Sequence, residues 1–150
     1  MSKIAGLLES LDFSVLVPKL DTVLGFAQFL AVLAVLIGPL AMLALGLLYF
    51  FKPTEEANHK LGFRTYFGMG SVEAWQYTQR LAGIVMGGLG AILTIVAVIV
   101  CACWGDKDLP QIVTAALKCM LWEAGLAFVG WLVVTLWVTI RYDARGNLRK

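Results

Sequence analysis

Glu73, Gln76, Tyr77 and Arg80 stand three and four residues apart, the spacing that sets side chains on one face of a helix. A carboxylate, an amide, a phenol and a guanidinium on one face can bind a polar partner. Arg64 lies upstream on a glycine-flanked loop, and a guanidinium fork of this kind seeks a carboxylate, for which Glu73 is the nearest candidate. Two readings of these charges stand side by side. In one, Arg64, Glu73 and Asn58 brace the loop to the start of a helix. In the other, they dock a partner.

Catalysis and metal chemistry find little here. His59 is the chain's single histidine. No Gly-x-Ser-x-Gly surrounds any serine, so a base-activated nucleophile has no visible parts. Cys101, Cys103 and Cys119 lack zinc-type spacing. Their number and position leave free thiols or one disulfide open. Gly68-Met69-Gly70 is too short for a phosphate loop and no lysine follows it. The expectation is a protein that is no enzyme, with no metal and no cofactor. Nucleic acid is not expected as a partner either, because the placement of the basic residues has another explanation, given below.

These polar residues sit in an unusually apolar chain. Of 150 residues, 60% are hydrophobic and 15% charged, with a mean hydropathy of +0.83. Soluble domains carry about 25% charged residues. Three runs of sufficient length avoid charge: Thr22–Phe51, Leu81–Gly105 and Ala124–Ile140, the last extended backwards past Glu123. Roughly 20 apolar residues span the hydrocarbon of a bilayer. No run alternates as a barrel strand would, and three strands could not close a barrel. The sequence therefore predicts an all-α membrane protein with three transmembrane helices, over about 22–51, 72–104 and 111–140, joined by a polar loop at 52–80. The lipid bilayer is its first partner.

The helix boundaries carry recognisable signals. Ser71 fits an N-cap, with Glu73 in the first turn. Trp75 and Tyr77 are expected at headgroup depth. Pro53 closes the first helix, Gly38-Pro39 is expected to kink it at mid-membrane, as a packing feature or a hinge, and Arg141 ends the third. Residues 1–21 form an interfacial segment in which Ile4, Leu7, Leu8 and Leu11 recur at helical spacing, predicting a short amphipathic helix. Glu9, Asp12 and Asp21 in this segment do not fit a cleavable signal peptide. Gly83, Gly87 and Ala91 on the second helix, and Ala34, Gly38 and Gly46 on the first, form small-residue strips for close packing, against a helix of the same chain or of another copy.

Charge distribution orients the chain. The loop holds Lys52, Lys60, Arg64 and Arg80, and the tail Arg141, Arg145, Arg149 and Lys150. The opposite side holds Lys3, Lys19, Lys107 and Lys118. The positive-inside rule places the loop and C-terminus in the cytoplasm and the N-terminus outside. The same bias accounts for the basic residues without nucleic acid. Lys118 and Glu123 fall near the outer end of the third helix. They make either a boundary pair or a polar site that meets a ligand from outside.

With these residues in view, a family resemblance emerges. Asn58, Gly62, Arg64-Thr65, Met69, Ser71, Glu73 and Trp75, followed by Arg80-Leu81-Ala82-Gly83, resemble the signature of the SdpI-like family of bacterial membrane proteins. The match runs from about Asn58 to Gly90, and the ending Tyr142-Asp-Ala-Arg-Gly-Asn-Leu-Arg-Lys150 is similar to that of many members. The longer immunity-type members are similar only over their C-terminal half. The resemblance implies a helical protein of the bacterial cytoplasmic membrane, immunity to a membrane-active peptide toxin or envelope signalling, and a toxin or a cytoplasmic regulatory protein as partner. A small homo-oligomeric transporter or channel subunit is the alternative. Gln28 and Thr94 would be the sparse polar lining of its path.

Overall fold

In the computed structural model, residues 23–55, 57, 62–105 and 107–149 are described. The amphipathic segment expected over 1–21 lies outside them, as do Asn58 and His59. The described residues are helical apart from turns and one isolated bridge: α1 Val23–Phe51, α2 Val72–Ala102 and α3 Leu109–Arg141. All three are long and apolar enough to cross a membrane. At 1.5 Å per residue they extend about 43–50 Å, against about 30 Å of hydrocarbon. Their outward faces carry Ile37, Leu121, Trp122 and Ile140, each at least 70% exposed. Side chains of this kind are stable in lipid and costly in water.

Helix ends follow local chemistry. Ser71 caps α2: its Oγ accepts the Ala74 N–H at 3.1 Å. The C-terminal end of α2 comes two residues before the expected 104. Cys103 and Trp104 donate instead to Val100 and Cys101, three residues back, which tightens the last turn. The start of α3 comes at Leu109, earlier than expected, because the Asp108 carbonyl already accepts from Gln111 and Ile112. Pro110 is tolerated there, since first-turn N–H groups have no helical partner.

The helices contribute to two compact units. The first, Met1–Pro39 with Ile92–Glu123, has a core of Val32, Val35, Ala97, Cys101, Trp104, Ile112 and Ala116. These recur at three and four residues along each helix, so each presents one stripe inward. The three cysteines are free thiols.

The second unit, Leu40–Ala91 with Ala124–Lys150, is built on Phe63, Ala74, Ala82, Val134, Val138 and Tyr142. Here the small-residue strips find their partner within the chain. A Cβ on Gly46 would collide with the backbone of Gly87, and one on Gly83 would lie 2.7 Å from the Phe50 nitrogen. Glycine at these positions lets α1 and α2 touch backbone to backbone, where dispersion contacts are densest. On α3, Gly130 faces Leu89 of α2.

Candidate functional site

In the second unit, the loop before α2 is fixed by side chains that reach back to its backbone. Gln79 is fully buried. Its amide oxygen accepts the Phe63 N–H at 2.8 Å, and its Nε2 donates to the Phe63 carbonyl at 2.8 Å. One side chain thus satisfies both backbone groups of a buried residue, as a neighbouring strand would. Thr65 Oγ1 accepts the Gly68 N–H at 3.0 Å. Thr78 bonds the Ala74 carbonyl at 2.7 Å.

Trp75 is another anchor. It is fully buried within the protein, and its Nε1 donates to the carbonyl and hydroxyl of Thr54 at 3.0 and 3.1 Å. Its ring lies against Gly62, where a Cβ would approach within 2.6 Å. Gly62 also has φ +130°, a backbone region favourable to glycine.

The tail closes on the same loop. After α3, Asp143 Oδ1 accepts the N–H groups of Arg145 and Asn147 at 2.9 and 2.8 Å. These bonds hold the Asp143 carboxyl below its ordinary range. Gly146 completes the turn at φ +75°, and Tyr142 pairs with Leu148 across it. Ser71 Oγ, the α2 cap, also donates to the Gly146 carbonyl at 2.8 Å. One hydroxyl therefore caps a helix and docks the tail.

The signature residues divide by exposure. Thr65 and Trp75 are buried, and so is Gly83 in the α1–α2 contact. Gly62, Met69 and Ser71 are half-buried. Arg64, Glu73 and Arg80 are exposed. The uncharged residues build the platform, and the charged ones stand on it.

Glu73, Gln76, Tyr77 and Arg80 do share a face, and they line an open cleft of about 230 Å³ together with Arg141 and Tyr142 from the end of α3. Arg141 lies over the Tyr77 ring, 4.3 Å from its centroid, and donates to the Tyr77 hydroxyl at 3.3 Å. The rings of Tyr77 and Tyr142 pack at 5.6 Å. Burial pushes the Tyr142 phenol above its ordinary value and the Glu73 carboxylate adds to this, while Arg141 opposes them. Tyr142 therefore stays a neutral hydroxyl. The cleft offers two guanidiniums, one carboxylate, an amide and two phenols. Such a set suits hydrogen-bonded recognition of a polar partner.

In the first unit, Lys118 is exposed and Glu123 half-buried. They are five residues apart on α3, so they point to different sides of the helix. Glu123 turns towards α1, where a Cβ on Gly38 would lie 3.3 Å from its Oε2.

Sequence reasoning missed Gln79, Arg141 and Tyr142. Gln79 stood in the polar start of α2, but its partner is 16 residues away. Arg141 meets Tyr77 across 64 residues. Comparison with protein-family models, curated proteins and solved structures gives no match to this chain.

Proposed function

We propose that this chain is a non-catalytic, SdpI-like protein of the bacterial cytoplasmic membrane, acting by recognition, with immunity to a membrane-active peptide toxin or envelope signalling as its output. The observation that supports this is the division within the signature. Thr65, Ser71 and Trp75 build a fixed platform, whereas Glu73 and Arg80 line an open cleft. A purely structural signature gives no reason to gather charge on one exposed face beside Arg141 and Tyr142 where α3 ends. In the orientation set by the positive-inside rule, the cleft and tail are cytoplasmic, and its occupant is a polar segment of a cytoplasmic regulatory protein. Lys118 and Glu123 then belong to the outer end, where an external peptide arrives.

The alternative of an oligomeric transporter subunit has less in its favour. The glycine strip of α2 that would receive another copy is filled by α1 of the same chain.

Expression in a toxin-sensitive bacterium tests the proposal. The parent chain, Arg64→Ala and Arg80→Ala are compared at matched membrane levels, with survival and membrane potential recorded under a membrane-active peptide toxin. Protection by the parent and its loss in Arg80→Ala is the expected result. Absence of protection by the parent would remove immunity and leave signalling. Equal protection by Arg80→Ala would remove the cleft from the mechanism.

A further inference from the structure

A second concavity, of about 470 Å³, lies where α3 ends, lined by Trp137, Ile140, Arg141, Leu148 and Arg149. Its chemistry differs from that of the first cleft. The wall is apolar, the only charges are two guanidiniums, and no carboxylate lines it. Trp137, Ile140 and Leu148 are 57%, 72% and 52% exposed. We propose that this is a binding site for one anionic phospholipid, its phosphate held by Arg141 and Arg149 and an acyl chain laid along Trp137 and Ile140.

The tail turn sets the two arginines side by side. The Arg149 backbone N–H donates to the Arg141 carbonyl at 2.9 Å, so both side chains leave from adjacent backbone. Arg149 is further held by its Nε, which donates to the Tyr142 carbonyl at 3.0 Å, and by the Phe67 ring, 5.6 Å away. Arg141 is held over Tyr77. A guanidinium has five N–H donors, and the bonds to tyrosine hydroxyls and to the Tyr142 carbonyl leave several on each arginine. The arginines are thus pre-positioned while keeping donors for phosphate oxygens, which arginine binds bidentately.

Depth supports the same occupant. Arg141 is the last residue of a membrane-spanning helix, and Trp137 and Ile140 belong to its final turns. In the proposal this end lies among the headgroups, because α3 at about 50 Å outlasts about 30 Å of hydrocarbon, and basic pockets at that level attract anionic lipid. A soluble anion would satisfy the guanidiniums but leave the apolar wall uncovered. A zwitterionic lipid would cover the wall but bring its own cation to two arginines.

The test uses the full chain purified in neutral detergent, with bound lipid counted by native mass spectrometry. The probes are dioleoyl-phosphatidylglycerol, dioleoyl-phosphatidylcholine and inorganic phosphate. One phosphatidylglycerol is expected to be retained about tenfold more tightly than phosphatidylcholine, because both offer a phosphate but the choline brings a cation against two arginines. Arg141→Gln should remove most of that preference, and Trp137→Ala should weaken both lipids. Lys52→Gln, which removes a charge outside the pocket, should change neither. Arg141→Lys keeps the charge and the helix end, and should retain part of the preference; this guards against simple misfolding in the Gln variant. Equal retention of the two lipids, an undiminished preference in Arg141→Gln, or displacement of the lipid by millimolar phosphate would each overturn the proposal. So would a dimer that covers this face and excludes lipid.

Discussion

Replacing Gln79 with methionine isolates the clasp on Phe63. The side chains are close in volume, so packing is nearly kept while both bonds to the Phe63 backbone disappear. Phe63 is 8% exposed, so water cannot readily replace them. Two buried backbone groups left unsatisfied at about 1–3 kcal/mol each give about 2–6 kcal/mol. The loss falls on local opening of the loop, because the clasp ties loop to helix and not helix to helix. Even the lower figure raises the open population about 30-fold. Limited proteolysis in detergent, under conditions where cleavage follows the open population, reads this directly. Cleavage within the loop should accelerate by at least that factor while the helical circular dichroism is unchanged. A rate within twofold of the parent would refute the argument that this amide pair fixes the platform.

Other consequences follow from the same structure. Gly46→Leu should separate α1 from α2 and cost about 1–3 kcal/mol or more, read by unfolding in mixed detergent. Gly88→Leu and Gly125→Leu, where an added Cβ meets nothing within 4 Å, should be far milder. Ser71→Ala should lose a cap worth about 0.5–2 kcal/mol and also free the tail, seen as faster cleavage after Tyr142. The Asp143 carboxyl is held low by its turn. Its contribution is therefore complete above its unfolded pKa of about 3.9 and lost as pH falls through the lower native value. Tail release on acidification, absent in Asp143→Ala because that tail is already loose, checks the sign. Spectroscopic titration of Tyr142 should show its pKa fall in Glu73→Gln and rise in Arg141→Gln, since the carboxylate raises it and the guanidinium lowers it.

Much of this architecture was legible because membranes impose simple rules. Runs without charge mark spans, and Ser71 and Arg141 marked ends correctly. The shared face of Glu73, Gln76, Tyr77 and Arg80 followed from helical spacing alone, a local property. What sequence did not reveal depends on residues distant in the chain. Trp75 reads as an aromatic at a helix start, and only the fold shows the space above Gly62 and the acceptors of Thr54 that bury it. Gln79 looks like one more polar residue until the Phe63 backbone stands opposite. The tail turn is local, held by Asp143 and Gly146, yet its docking on Ser71 joins positions 75 residues apart. The glycine strips announced close packing without naming the partner. Only the fold assigns Gly46 to Gly87.

The central claim is that the cleft recognises and the platform supports. The most direct measurement exchanges the charges within the cleft, Glu73→Arg with Arg80→Glu, and records survival under toxin at matched membrane level. The net charge is unchanged, and the Gln79 clasp and Ser71 cap are untouched, so loop proteolysis should match the parent. Protection should be lost while the loop stays closed. Full protection by the exchanged form would contradict it, because a partner that reads the arrangement of charge cannot tolerate its inversion.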